Sequence, residues 1–466
     1  MIQLPESFEN RMMKMLGSEY PAFRLSLSSE VSHSVRINRK KTKKIISNDS
    51  VIYCNSGFYL KQRPVYTLDP LFHSGVYYPQ ESSSMFLEQY FRHTAKKNLR
   101  VLDLCAAPGG KSTHLSSILP DDSLLVSNEV IHSRARILSE NTKKWGNPNV
   151  VVTCNDPSDF SRLAGFFDVI VVDAPCSGEG LFRRDPAAIN EWSDSNADHC
   201  AQRQKRILAD VWPSLAENGL LIYSTCTYNP AENEENIGWL AQFAPIEGVN
   251  LEIPDDWGIR KTEANGLPCF RFYPQNVRGE GYFTSAVRKK GSEAVKWNAK
   301  SKTSLPLAGK AEQNLLSGFI QNKPLSLIRF EDNFLAWPTE LLSELDQIKA
   351  SLRIIHAGIK TGEIIRDTFM PAHELAVSTI CNQTAFPQTE LTLSQALSFL
   401  KRDEFKVDFR EKGWNLMTYL GHPVGWAKNI GNRFNNGYPK EWRIRMSTSE
   451  YTGERLFEEA VKFPLA

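Results

Sequence analysis

The sequence predicts an α/β protein: a doubly wound, mostly parallel sheet, with a small N-terminal α+β domain before it and mixed and β-rich domains after it. Three observations carry this expectation. Residues 98–241 alternate short apolar runs with helix-length segments, the pattern of successive βαβ units. Val169-Ile170-Val171-Val172 is apolar without alternation, as suits a strand buried on both faces. A turn of small residues, Cys105-Ala106-Ala107-Pro108-Gly109-Gly110, joins the first of these strands to the first helix.

In chain order, residues 101–105 read as the first strand, and a helix starts near Ser112. A second strand spans 124–129. The helix after it carries Ala135, Leu138 and Trp145 on one side. Residues 149–154 and 167–173 read as the third and fourth strands. A long helix covers about 198–215, the fifth strand is 219–225, and a helix begins near Glu232. Before this core, residues 34–41 join a strand-like alternation to a basic cluster. After it, residues 288–310 hold seven Lys/Arg against one acid with no apolar periodicity, the composition of a solvated linker. A helix then begins near 390, and 414–420 reads as a strand. The expected domains are 1–95, 96–290, a basic linker 291–310, a small unit 311–385 and a β-rich terminal domain 386–466.

Composition narrows the function classes. The chain has 466 residues, room for two to four domains at roughly 100–200 residues each. Lys plus Arg is 55 and Asp plus Glu 53, a net charge of +2, so nucleic-acid contact must come from local basic patches. No apolar stretch approaches the ~18 residues of a membrane span, and residues 1–16 lack a signal-peptide core, so a cytoplasmic protein is expected. Eight cysteines in so long a chain are too few for a disulfide scaffold, and no two sit at a C-x-x-C spacing, so no metal site is expected.

The glycine loop is the strongest local signal. Small residues let the backbone approach a ligand, and the helix N-terminus attracts negative charge. Gly110-Lys111-Ser112 resembles the end of a P-loop, but that motif needs Gly six residues before the Lys, where Cys105 stands. G-x-G-x-x-G is also absent. S-adenosyl-L-methionine is the remaining common ligand. Two acids support a nucleoside: Glu129 closes the second strand, where a carboxylate accepts from ribose hydroxyls, and Asp156 follows the third, within reach of an adenine amine. Taken singly, each is equally a turn residue.

Two cysteines leave neighbouring strand ends, in Asp173-Ala174-Pro175-Cys176-Ser177-Gly178 and Ser224-Thr225-Cys226-Thr227. Ligands of open α/β sheets bind outside the carboxyl ends of strands, so both thiols are expected beside the cofactor. The other six cysteines read as small buried hydrophobes. A thiol explains one reaction well. Cytosine C5 is a poor nucleophile until a thiolate adds to C6 and makes C5 enamine-like, able to take a methyl group. Asp173 is placed to act near N3. This chemistry alone does not choose between Cys176 and Cys226.

Asp103–Ser112, the string DAPCSGEG at 173–180 and STCTYNPAENEE at 224–235 resemble motifs of the NOL1/NOP2/Sun RNA cytosine-C5 methyltransferases. Tyr77–Met85 resembles the segment that precedes their catalytic sheet, and Gly279–Phe283 their closing strand. Gln275 departs from the pattern, which often has His there. The resemblance covers about residues 70–290 and implies a Rossmann-like class I methyltransferase core. Residues 356–375 and Gly425-Trp426-Ala427-Lys428 with Asn436-Gly437-Tyr438-Pro439 resemble the C-terminal part of the bacterial 16S rRNA methyltransferase F type, which ends in a PUA-like RNA-binding domain. By this resemblance Cys105, Ala106, Ala107, Pro108, Gly109, Gly110, Lys111, Glu129, Asp156 and Asp173 surround S-adenosyl-L-methionine. It also makes Cys226 the nucleophile and Cys176 the residue that helps release product.

The expected partner is RNA, foremost 16S rRNA or the small ribosomal subunit, acted on by a monomer. Arg36, Arg39, Lys40, Lys428, Arg433, Lys440 and Arg443 are the candidate RNA contacts, with a solvated surface as the plain alternative. A tRNA cytosine-C5 methyltransferase and a non-catalytic ribosome-assembly factor are the alternative functions. A DNA methyltransferase would attack through Cys176 and carry a DNA-recognition domain, which the sequence does not display. Intact Cys176, Cys226 and Asp173 weigh against a binding module.

Overall fold

The computed structural model describes residues 3–44, 46–92, 98–291, 304–321, 323–366, 368–409 and 411–447. Most of the expected linker, 292–303, and the end of the expected terminal domain, 448–466, lie outside the described residues.

The first unit has helices Glu6–Leu16 and Tyr20–Ser26 and a sheet of β1 (His33–Ile37), β2 (Gly57–Leu60) and β3 (Tyr77–Pro79) in the order β2-β1-β3. The central sheet takes β4 (Arg100–Asp103), β5 (Leu124–Asn128), β6 (Val150–Thr153), β7 (Phe167–Asp173) and β8 (Leu215–Thr225) as its parallel core, in the order β8-β7-β4-β5-β6. β9 (Ile246–Gly248), β10 (Arg260–Ala264), β11 (Leu267–Phe272) and β12 (Tyr282–Lys289) follow. β12 lies antiparallel to β8 and carries β11 and β10 outward, with β9 also on β12.

The apolar run behaves as its composition requires. Val169 and Val171 pack into the core on one side of the sheet, Ile170 and Val172 into the core on the other. The helix His132–Trp145 buries Ala135, Leu138 and Trp145 and ends at Gly146, whose positive φ of 86° stops it. The long helix is shifted relative to expectation, spanning Asp194–Val211 with Ser193 as N-cap, and a short 3-10 turn at Trp212–Ser214 follows.

Residues 304–391 add β13 (Leu325–Phe330), β14 (Asn333–Pro338), β15 (Ile354–Ala357), β16 (Ile359–Ile365) and β17 (Thr368–Pro371). β13, β14, β16 and β17 form their own antiparallel sheet, but β15 pairs antiparallel with β6 and extends the central sheet. Nothing in the local sequence distinguishes β15 from its neighbours; the free edge of β6 decides it. The last sheet is β18 (Gln388–Glu390), β19 (Gly413–Tyr419), β20 (His422–Asn429) and β21 (Phe434–Asn436), beside helix Leu393–Lys401, whose Thr392 and Gln395 form a capping box. Among the described residues, no helix is long and apolar enough to cross a membrane.

Candidate active site

The chain runs β4, β5, β6 in one direction, then crosses back to β7 and β8. β4 therefore pairs with β5 on one side and β7 on the other, and the crevice at their carboxyl ends is the topological switch point. Three loops converge there. The glycine loop leaves β4, the Asp173–Gly178 loop leaves β7, and the Cys226 loop leaves β8.

Gly109 adopts φ 119°, a value that L side chains rarely adopt, and the helix Gly110–Ile118 starts directly after it. Lys111 Nζ lies 2.8 Å from Asp173 Oδ2 and 5.3 Å from the centre of the Tyr282 ring. Ser224 Oγ donates to Asp173 Oδ1 at 2.8 Å. One carboxylate thus ties together the ends of the glycine loop, β7 and β8. At the base of the loop, Asp103 is fully buried. Its Oδ2 accepts from Ser112 Oγ at 2.7 Å, and its Oδ1 has no partner. Burial, reinforced by the Asp173 carboxylate, raises the Asp103 pKa to about 7.

Glu129 follows β5 and Asp156 follows β6, at adjacent strand ends. Glu129 Oε1 accepts from the Ile131 backbone N–H at 3.0 Å, and Oε2 lies 3.2 Å from Arg134 Nη1. Arg134 also donates to the Ala107 carbonyl at 2.9 Å, which locks the acid to the glycine loop. Asp156 caps the 3-10 turn Pro157–Leu163 by accepting from Ser158 N–H and Oγ, and those bonds depress its pKa. Its side chain stays 45% exposed, so it retains acceptor capacity.

Cys176 Sγ and Cys226 Sγ stand 3.1 Å apart, and the Cys226 N–H donates to Cys176 Sγ at 3.4 Å. The contact with Cys226, with burial behind it, pushes the Cys176 thiol well above the ordinary range. Beneath them lies a buried polar network. Glu232 accepts from Ser177 N–H at 2.9 Å, Ser177 Oγ at 2.5 Å and Gln204 Nε2 at 2.9 Å. Gln204 also donates to the Pro175 carbonyl, and Tyr223 OH donates to the Glu232 carbonyl at 2.6 Å. Glu232, on the Cys226 loop, thereby fixes the Cys176 loop. A second acid, Glu179, accepts from Trp192 Nε1, the Tyr228 N–H and Arg11. Arg11 belongs to the first helix, whose Phe8 packs at 5.1 Å on Phe182, while Phe23 stands edge-on to Tyr228 at 5.2 Å. The N-terminal helices therefore back the cysteine loops.

The structure brings together Cys105–Lys111, Asp173, Cys176 and Cys226, and sets Glu129 and Asp156 on the neighbouring strand ends. Sequence reasoning missed Arg134 and Gln204, and it gave no role to Asp103 or Glu232, although Asp103 opens the glycine-loop motif. Glu232 lies inside a motif already singled out, but its partner Gln204 is one polar residue on a long helix and carries no local signal.

The N-terminal RNA contacts need correction. Arg36 is fully buried. It donates to the Gly110 and Thr113 carbonyls, Thr113 Oγ1, Ser117 Oγ and Gln80, and stacks at 4.7 Å on Trp145. It is a strut between the first unit and the glycine-loop helix, with no surface left for RNA. Arg39 and Lys40 are exposed, although Lys40 pairs with Asp121 at 2.6 Å. Arg433, Lys440 and Arg443 are exposed, and Lys428 sits 5.7 Å over the Trp414 ring.

A doubly wound sheet whose switch point carries a small-residue loop, with acids on the next two strand ends, defines an S-adenosyl-L-methionine-dependent methyltransferase. The unpaired Asp103 Oδ1 at the loop's base is an unused hydrogen-bonding group of the kind such a polar ligand needs. Comparison with known proteins specifies the family. A family model for the 16S rRNA methyltransferase RsmB/F matches residues 93–288. One for the N-terminal domain of RsmF matches 4–82, and one for the RsmF PUA domain matches 386–444. The ribosomal RNA small subunit methyltransferase F of Psychromonas ingrahamii is 32% identical over 84% of this chain and 85% of its own. That of Escherichia coli is 28% identical over 94% and 96%. A methyltransferase homolog from Pyrococcus horikoshii superposes with a TM-score of 0.53 at 25% identity, covering 62% of this chain and 96% of that one. The P. horikoshii structure titled NSun6 with SFG superposes at 0.51 and 20% identity, covering 62% and 99%, and shares the fold. The chain belongs to the RsmF family of methyltransferases.

Proposed function

We propose that this protein methylates C5 of a cytosine in 16S rRNA, through a covalent bond between Cys226 Sγ and cytosine C6. The observation that carries the reading is the 3.1 Å contact between two thiols at adjacent strand ends, beside the glycine loop. A binding protein has no use for such a pair. The relatives' names supply the RNA class.

When bound, S-adenosyl-L-methionine supplies the electrophilic methyl group. The chain's residues do the rest. Cys226 attacks C6 as thiolate, which makes C5 nucleophilic. Asp173, oriented by Lys111 and Ser224, meets the N3 edge of the base. Once C5 carries the methyl group, loss of the C5 proton to solvent re-forms the C5–C6 double bond and breaks the C6–S bond. Cys226 leaves as the thiolate it began as, and the Cys176 thiol, 3.1 Å away and held protonated by its surroundings, hydrogen-bonds the departing sulfur and so favours release. The target cytosine must be unstacked to reach the thiol, at a cost of about a few kcal/mol in a helix. Glu129 and Asp156 would supply acceptors for the ribose and adenine of the cofactor, and the Cys105–Lys111 loop would help to hold it. Arg39, Lys40, Lys428, Arg433, Lys440 and Arg443 remain the proposed RNA contacts.

Bisulfite sequencing of RNA from cells lacking the gene, complemented with wild type, Cys226→Ala or Cys176→Ala, tests the proposal. One 16S cytosine should lose protection and regain it only with wild type, and Cys176→Ala should accumulate RNA–protein adducts. A lost site in tRNA would overturn the rRNA target, and no changed cytosine would overturn the activity.

A further inference from the structure

We propose that the cavity between the β13–β17 sheet and the terminal β18–β21 sheet binds an unstacked nucleobase of the substrate RNA, a reading that rests on the RNA substrate proposed above. The cavity measures about 350 Å³, room for a planar base with its ribose, and its lining includes Asn333, Lys360, His373, Trp414, Glu441 and Trp442. Both sheets contribute: Asn333 opens β14 and Lys360 lies on β16, while Trp414 lies on β19 and Trp442 follows β21.

Unused hydrogen-bonding groups gather here. His373 is only 9% exposed, yet neither ring nitrogen has a partner. Trp414 Nε1 and Asn333 Oδ1 are buried and unpartnered as well. Buried polar atoms are rarely left so, and three residues that carry them line this one cavity, which suits a ligand rich in donors and acceptors. Burial lowers the His373 pKa to about 3, so the ring is neutral and offers one donor and one acceptor. Trp414 offers a donor and Asn333 an acceptor. Trp414 and Trp442 also present aromatic surface, with Trp442 edge-on to His373 at 5.3 Å. A flat heterocycle with mixed polar edges matches these walls, because single-stranded RNA is read by stacking and by base edges. Glu441 accepts from an exocyclic amine and Lys360 pairs with a phosphate, which favours adenine, guanine or cytosine over uracil. An acidic peptide would meet the carboxylates of Glu441 and Glu363 instead.

The test uses the full chain without cofactor and fluorescently labelled single-stranded RNA hexamers, followed by anisotropy. Trp442→Ala should weaken binding of a cytidine, adenosine or guanosine hexamer about tenfold, and Trp442→Phe should restore most of it. His373→Phe keeps a ring and removes both nitrogens; it should weaken binding similarly, and uridine hexamers should bind least. Unchanged hexamer affinity in both Trp442→Ala and His373→Phe overturns the proposal, as does failure of Trp442→Phe to rescue. Binding is read without methyl transfer, so absence of rRNA methylation would sink the proposed activity and leave the pocket standing.

Discussion

Replacing Glu232 separates the network beneath the cysteines from the cysteines themselves. In the native protein its carboxylate accepts three hydrogen bonds, two from Ser177 and one from Gln204, and all three partners are buried. Glu232→Ala strands the buried Ser177 N–H and removes one of the two acceptors of Gln204 Nε2, which keeps the Pro175 carbonyl. At about 1–3 kcal/mol for a stranded group and less for the partly satisfied one, the expected loss is roughly 2–4 kcal/mol. Glu232→Gln keeps the shape. Its carbonyl oxygen can replace Oε2 opposite the two N–H donors, and the Ser177 hydroxyl can rotate to accept from the amide. Only the charge assistance disappears, about 1–2 kcal/mol. Chemical denaturation of the full chain measures both changes. The Gln variant adds a functional readout: the Cys176 loop is held less firmly, so RNA adducts should persist longer than in wild type while affinity for S-adenosyl-L-methionine is unchanged. A loss below ~0.5 kcal/mol for Glu232→Ala would refute the claim that this acid holds the two loops together.

Three further outcomes follow from the geometry. Asp103 holds a proton in the fold up to about pH 7, whereas in the unfolded chain it ionises near the ordinary aspartate value of 3.8. Stability of the cofactor-free protein should therefore fall as pH rises between these values, by up to about 4 kcal/mol, and Asp103→Asn should flatten that slope in thermal melts. At Gly180, an added Cβ would lie 2.4 Å from the Gly281 carbonyl and 2.8 Å from the Cys226 carbonyl, so Gly180→Ala should displace the Cys226 backbone. It should cost about 1–3 kcal/mol and sharply reduce methyl transfer, measured with radiolabelled cofactor. Arg36→Ala should destabilise the protein by about 3 kcal/mol or more, yet leave the salt dependence of binding to single-stranded RNA unchanged, whereas Arg443→Ala should reduce that slope by about 0.7. A lowered slope in a folded Arg36 variant would restore it to the RNA surface.

Much of the chemistry was legible in the sequence because it is local. Strand–helix alternation reflects periodicity within a dozen residues, and it located the parallel strands to within a few residues. The glycine loop and the two cysteine loops are contiguous strings, so each stands out without any knowledge of the fold. What lay beyond the sequence depends on pairing across long separations. Cys176 and Cys226 are 50 residues apart, and only the parallel docking of β7 on β8 puts their sulfurs in contact. Arg36 stands in a basic cluster, and its composition says surface; burial against Trp145 and the glycine-loop helix says otherwise. Gln204 and Glu232 become a brace only when a helix face meets a loop, and β15 joins the central sheet because β6 has a free edge. His373, Trp414 and Asn333 lie far apart in the chain and share a cavity only where two sheets close on each other. By itself the sequence determined most of the elements and the candidate groups, since neighbouring residues encode both. Tertiary structure alone decided which groups are buried and which meet, since those depend on surfaces the chain acquires only after it has folded.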